Sequence, residues 1–542
     1  MSTEMRRTFC FARAMLIASV VATVTATHAA DPPERIYGVY NESSLGSLAV
    51  APGSNMLIFS GGFPVGPPIA QTSVRFPLVT MLAGTSVRVT VNGISLDAYI
   101  LGAEAQWVRA LLPSSTPIGD GQLVVTYDGR TSVPYRLTVR ERGFGIYGGG
   151  WCGPTSAPSR PSFCVDRAVQ NIDAAGNVST NSLVAPARPG QLVTLWGTGL
   201  GFASGDEAAG PIPGQLRIAG LQVLFGGRPA KIVYSGRSGC CAGMDEIIFE
   251  VPLGIEGCNV PVWVRYTEDG SASGDVFVSV ASGTRACSDP DGLSESEVRK
   301  LSAGNLKAAE IWFTTMGSYW SANFGKASQT GVIAFGSCGN IWGEGFAAMP
   351  DPGSQFNAGA TLNFQMLHGG TFTATRSENG YYNGPFDSPP EPGEYRLDNG
   401  QGGPALGPFQ ASFSIPDSAL LWTNRDEFGA AKSDGLTVSW SVADPAVGHI
   451  EIYGSLAVDG ETNGSTVFTC AERPDKGSFS IPASVLERAG VWSGFYNEFR
   501  VSVIYLASKR LSIPGLDFAE FLVFNPAQTT VDPRLLVPTG RH

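Results

Sequence analysis

The chain has 542 residues, room for several domains of about 100–200 residues each, and only 15% of them are charged. A formal net charge of −11, with arginines scattered rather than striped, offers no track for nucleic acid and little attraction to an anionic lipid surface. Glycine is over-represented at 68 residues, and abundant Val, Thr and Phe favour short strands joined by tight turns.

At the start of the chain, Arg6, Arg7 and Arg13 precede the apolar run from Ala14 to Val24, and small residues ending in Ala29-Ala30 follow. This is the pattern of a cleaved export signal over residues 1–30, because so short a core cannot span a bilayer, which takes roughly 20 apolar residues. No later apolar run is long enough to span. No transmembrane segment is therefore expected, and the mature chain is placed outside the cytoplasm, secreted or periplasmic.

Removal of Cys10 with the signal leaves eight cysteines, an even number that suits disulfides in an exported chain. Their spacing lacks the paired C-x-x-C knuckles of a zinc site, and histidines are few. Cys152 and Cys164 bracket a short Pro-rich loop and are expected to pair. Cys338 and Cys470, the only cysteines of the C-terminal half, are expected to pair if that half is compact. Cys240, Cys241, Cys258 and Cys287 are left to pair among themselves, with the arrangement open.

Past the signal, residues 31–141 read as a β module. Pro52-Gly53 opens the strand Ser54 to Ser60, which breaks on Gly61-Gly62. Val87 to Val91 alternates into Asn92-Gly93, the strongest short hairpin signal. Leu111-Leu112-Pro113, Leu123 to Tyr127 running into Asp128-Gly129, and Tyr135 to Val139 complete the set. Residues 142–286 repeat the order with longer loops. Pro189-Gly190 opens Gln191 to Thr198, and Gln222 to Phe225 enters Gly226-Gly227. Ile247 to Pro252, Val262 to Tyr266 and Val276 to Val280 follow. Matching features in matching order identify a repeated module.

With its Pro-Gly strand, glycine break, hairpin and Val-Pro strand, this pattern resembles the IPT/TIG group of immunoglobulin-like domains. The second copy adds Ala168 to Asp173, Asn181-Ser182, Ala185-Pro186 and Thr198 to Gly201, and is similar to an uncharacterised β-sandwich repeat of secreted soil-bacterial proteins. The resemblance covers roughly residues 36–286. It implies an extracellular immunoglobulin-like fold and brings no catalytic residue with it.

Residues 287–304 are expected to be a linker carrying a short helix from Ser294 to Leu301, acidic in its first turn and basic at its end. Asp289, Asp291 and Gly292 match part of a calcium loop, but the remaining acidic ligands are missing, so a plain turn is expected. A β-rich domain over 305–416, a C-terminal β-sandwich over 417–530 and a tail over 531–542 complete the division. The Trp-Thr-Asn piece at Trp422 and the Leu-Thr-Val-Ser-Trp piece ending at Trp440 are similar to the C-terminal regions of the same bacterial proteins. The two C-terminal units can also fold as one. The overall expectation is all-β, about four tandem immunoglobulin-like β-sandwiches.

Chemistry is hard to find. No G-x-S-x-G elbow, H-E-x-x-H or phosphate loop occurs, and His368 and His449 sit at strand ends where a structural role is expected. Nothing points to a metal or a cofactor. Aromatic residues in Gly-rich loops are the visible binding candidates: Trp151, Tyr319-Trp320, Trp342 and Tyr381-Tyr382. The segment Glu378 to Phe386, with two Asn-Gly pairs and a proline, should be a loop or hairpin end rather than a central strand. Ligand contact is thus expected at Tyr381, Tyr382 and Trp320, from the C-terminal loops rather than from the repeated modules. The function expected is non-enzymatic extracellular binding of a glycan or protein ligand, adhesin-like or scaffold. A secreted carbohydrate-active enzyme with unrecognised carboxylates and a structural spacer are the alternatives.

Overall fold

The structure, a computed structural model, describes residues 35–43, 49–148, 169–283, 285–287, 293–314, 319–339, 349–351, 353–366, 370–385, 391–415, 417, 419–427, 435–457, 465–488 and 498–531. The expected signal, the tail, Cys152, Cys164, Trp151, Trp342 and His368 lie outside them.

The chain is all-β, in tandem sandwiches, with few helical residues. In the first sandwich the opening strand changes sheet. Ile36–Asn41 pairs antiparallel with Asn55–Ser60, and the chain then crosses so that Ala49–Val50 runs parallel to the last strand, Tyr135–Val139. One sheet continues from Asn55–Ser60 through Trp107–Leu111 to Tyr99–Glu104. The other continues from Tyr135–Val139 through Gly119–Tyr127 to Thr85–Val91. This Greek key is the immunoglobulin arrangement. Alternation drives it: Val87, Val89 and Val91 point into the core beside Leu123 and Val125. Asn92 and Gly93 take φ of 50° and 79°, the positive pair that a two-residue type I′ hairpin requires.

The middle sandwich repeats the plan. Val169–Ile172 pairs with Leu192–Thr198, which pairs with Asp245–Glu250. Leu221–Phe225, Gly257–Tyr266 and Val276–Val280 form the second layer. Ala187 bridges Val280 in parallel, the counterpart of the sheet-switching strand. Gly226 and Gly227, with φ of 58° and 91°, stand where the first copy has Asn-Gly.

The short helix is Glu295–Ser302, one residue on from the expected span. Ser294 and Glu297 cap each other's backbone N–H reciprocally, a capping box. Beyond it, residues on both sides of the expected 416/417 boundary share one nine-stranded sheet. Leu306–Thr314 runs parallel to Phe518–Val531, the last described strand. Against this sheet pack a four-stranded layer (361–415) and a three-stranded layer of Leu420–Trp422, Gly435–Val442 and Ser478–Pro482. One apolar core joins them, with Phe313, Phe364, Phe413, Phe521, Trp440 and Tyr505 among its members. Cys338 and Cys470 face each other on paired strands of the large sheet and are bonded. Among the described residues the other bonded pairs are Cys258–Cys287 and the adjacent Cys240–Cys241.

A candidate ligand cleft on the first sandwich

The aromatic candidates of the C-terminal part require correction. Trp320 is 1% exposed and Tyr382 is 0% exposed. Trp320 lies 4.5 Å from Phe364 and 6.0 Å from Phe313, centroid to centroid. The Tyr382 hydroxyl donates to the Gly359 carbonyl (2.8 Å) and accepts from the Ala358 N–H (3.0 Å). Tyr382–Pro385 is a short strand that pairs with Tyr319–Gln329, so the ring alternates into the core while its turn stays outside. Both rings are core and neither presents a face to solvent. Tyr381 is half-buried, its N–H donating to the Ser377 hydroxyl.

The structure brings an exposed ring, Tyr37, and a half-buried one, Tyr40, together on the edge strand Ile36–Asn41. Its ladder to Asn55–Ser60 is interrupted between Ile36 and Gly38. Side chains alternate along a strand, so Tyr37 and Tyr40, three apart, would ordinarily point to opposite faces. The bulge absorbs one residue and puts both on the outer face, while Ile36 and Val39 both enter the core. Gly38 completes the arrangement. A Cβ there would lie 2.4 Å from Cε2 of Tyr40, so only a glycine lets that ring lie back over the strand. Phe59, on the neighbouring strand, meets Tyr40 edge-on at 5.9 Å.

The result is an open cleft of about 350 Å³ lined by Tyr37, Tyr40, Phe59, Ser60 and Gln106. Tyr37 is 74% exposed. No lining group is charged. Burial, with the Tyr37 and Tyr135 hydroxyls nearby, raises the Tyr40 pKa above the ordinary phenol value, so the ring keeps its proton and can donate. Chemically the cleft offers aromatic faces with hydroxyl and amide groups at the rim.

The same strand ends at the joint with the middle sandwich, which fixes the cleft relative to the rest of the chain. The Asn41 amide donates to the carbonyls of Gly143 (2.8 Å) and Thr198 (3.0 Å). Glu42 pairs with Arg109 and accepts from the Tyr147 hydroxyl (2.9 Å). Burial works against the Arg109 charge, but Glu42 and Tyr147 together outweigh it and the pKa rises. Burial first, then Glu42, pushes the Tyr147 phenol well above its usual range. Deeper in the joint Asp245, 0% exposed, pairs with Arg237 and accepts from the N–H groups of Gly199 and Leu200, each 2.7 Å. Arg237 reaches across to the Pro52 carbonyl at 3.2 Å. A Cβ on Gly53 would sit 2.0 Å from the Arg237 guanidinium, which explains the glycine after Pro52.

Two further pairs of polar groups among the described residues are buried. His449 and Glu451 are fully buried, 3.4 Å apart. Glu310 and Glu520 are direct partners on the parallel ladder, and both are buried. Among the described residues there is no group of three or more His, Cys, Asp and Glu that could hold a metal ion. Also among them, no helix is long and apolar enough to cross a membrane.

Strand order and sheet switching define this as a tandem immunoglobulin-like β-sandwich protein. No family model matches the chain, and no curated protein does. Among solved structures it is similar to the FN1–FN3 domains of chicken CNTN1, at 11% identity and a TM-score of 0.16, covering 62% of this chain and 94% of that one. It is also similar to the Bacteroides ovatus mixed-linkage glucan utilization locus protein SGBP-B, solved with a mixed-linkage heptasaccharide. There identity is 10% and TM-score 0.15, over 83% of this chain and 97% of that one. Sidekick-1 immunoglobulin domains 1–4 match at 9% and 0.12, over 92% and 98%. At these scores the likenesses add nothing to the strand order, which defines the fold by itself.

Proposed function

We propose that the protein is exported and acts outside the cytoplasm as a non-enzymatic binding protein, whose first two sandwiches are of the IPT/TIG kind. The Tyr37–Tyr40–Phe59 cleft takes a neutral carbohydrate. The observation that supports this is the bulge that turns two tyrosines to one face, beside a phenylalanine and uncharged polar groups only. A pyranose has the complementary surface: an apolar C–H face for stacking and hydroxyls for Tyr40, Ser60 and Gln106. A cleft of about 350 Å³ sits at the low end of the range of ligand pockets, about 300–1,000 Å³, and suits one or two sugar rings. The lack of charge in the lining disfavours anionic and cationic ligands, because an ionic group would lose hydration there without a partner. The binding reading is preferred to the enzyme alternative because the acids that the structure pairs, Glu310 and Glu520, are both buried.

A glycan array probed with the mature chain tests the reading. Binding to neutral oligosaccharides that Tyr37→Ala weakens roughly tenfold is the expected result. Binding confined to charged glycans, or binding indifferent to Tyr37, would contradict it.

A further inference from the structure

The three described disulfides differ in what they can do for the fold. Cys258–Cys287 and Cys338–Cys470 span 29 and 132 residues, and all four cysteines are buried. Closing such loops restricts the unfolded chain and stabilises the fold. Cys240–Cys241 joins neighbours, at a sequence separation of 1. It encloses no loop, so on the same chain-entropy argument it adds almost nothing to global stability. What it fixes is the local course of one loop, and Cys240 is exposed to solvent.

That loop is the plug of the joint between the first and middle sandwiches. Ala242 packs against the small apolar cluster of Leu78, Leu101 and Leu111 in the first sandwich. Its carbonyl accepts from the Asn55 side-chain amide (3.2 Å), and the Gly243 carbonyl accepts from the Thr198 hydroxyl (2.5 Å). Thr198 in turn accepts the Asn55 backbone N–H at 2.9 Å. The loop presses close: a Cβ on Gly243 would sit 2.7 Å from Leu111. Within the loop the Ser238 hydroxyl accepts the Cys240 N–H, and the Ser238 N–H reaches the Met244 carbonyl. The cystine thus holds the middle of a short closed turn whose far side grips Asn55. The crevice that Cys241 lines has a volume of about 10 Å³, room for no more than a water, and Cys241 is half-buried where Cys240 is exposed, so Cys240 is the more accessible of the two.

We propose that Cys240–Cys241 is a thiol–disulfide exchange site for a dithiol, and that its reduction loosens the joint without unfolding either sandwich. A thiolate of the dithiol attacks Sγ of Cys240. A mixed disulfide forms, the Cys240–Cys241 bond breaks, and Cys241 leaves as a thiolate that takes a proton from water. The second thiol of the reagent, as its thiolate, then attacks the reagent sulfur of the mixed disulfide and releases Cys240. The dithiol departs as its disulfide, having supplied two electrons and two protons. The Arg237–Asp245 pair is untouched, so the two sandwiches stay joined while the loop that seats Asn55 becomes mobile.

Treatment of the mature chain with dithiothreitol in the absence of denaturant, followed by iodoacetamide and peptide mapping, tests the chemistry. Cys240 and Cys241 should each take one label, while Cys258, Cys287, Cys338 and Cys470 stay bonded. Hydrogen exchange tests the consequence. The Asn55 amide and residues 238–244 should exchange roughly tenfold faster after reduction, the effect of weakening about one hydrogen bond. The variant Cys240→Ser/Cys241→Ser should show the fast exchange without reagent and no further response to it. Labelling of Cys240 and Cys241 only together with the buried pairs would overturn the proposal. So would labelling with unchanged exchange at Asn55, or a dithiol response that persists in the variant.

Discussion

Replacing Asp245 by alanine removes the anchor of the joint from one side only. Arg237 keeps its charge with its side chain 6% exposed, and two backbone N–H groups, of Gly199 and Leu200, lose their acceptor. Breaking a buried pair from one side costs about 3–5 kcal/mol, chiefly because an uncompensated charge stays behind. Two carbonyl acceptors, of Pro52 and Gly201, remain for Arg237 and keep the loss within that range rather than above it. For a unit of this size 1 kcal/mol moves the melting temperature by roughly 2–4 °C, so the transition of the middle sandwich should fall by roughly 6–20 °C. The double replacement Arg237→Met/Asp245→Leu should recover part of the loss and not all, since the charge is gone but the Gly199 and Leu200 N–H groups are still unpaired. Differential scanning calorimetry reads both. A shift under about 2 °C for Asp245→Ala would mean that the pair is not buried and that the joint is held by something else.

Gly38→Ala should leave the melting temperature within roughly 2 °C, because Tyr40 can swing its ring away at little cost, yet abolish binding at the cleft by displacing that ring. Calorimetric titration beside a thermal melt separates the two effects. Above pH 10 stability should fall. Tyr147 stays protonated in the fold while the unfolded chain ionises near 10, so its contribution is complete below that pH and lost above it. Tyr147→Phe should cost about 1–3 kcal/mol at pH 7, since the buried Glu42 loses one of its donors and keeps Arg109. The same change should remove one proton's worth of the alkaline decline, about 1.4 kcal/mol per pH unit, as read from urea unfolding against pH.

The repeat was legible because turns are local. Pro52-Gly53 and Pro189-Gly190 each need a glycine with positive φ, and Asn92-Gly93 and Gly226-Gly227 mark hairpins wherever they occur. The Glu295–Ser302 helix was legible for the same reason. The interlacing of residues 306–531 was not, because Leu306–Thr314 finds its parallel partner about two hundred positions away and no local pattern records that pairing. Trp320 and Tyr382 misled because nearby glycines suggested loops, whereas strand alternation decides which side a ring faces. The cleft was missed for the converse reason. Tyr37 and Tyr40 share a face only through a bulge, and the outward face of an edge strand looks like any other solvent face. One signal was present in Tyr37-Gly38-Val39-Tyr40: a glycine inside a strand often marks a bulge.

Titration of the chain from residue 31 onward with a panel of neutral oligosaccharides, compared with Tyr37→Ala, is the most direct test of the cleft. Tyr37 is exposed and its removal should not affect the melt, so any change in binding belongs to the cleft. At least one neutral glycan should bind the wild-type chain, and the alanine variant should bind it roughly tenfold more weakly, the loss expected from one partly buried ring. Equal affinity of the two chains for the same glycan, or no neutral glycan bound at millimolar concentration, would contradict the assignment.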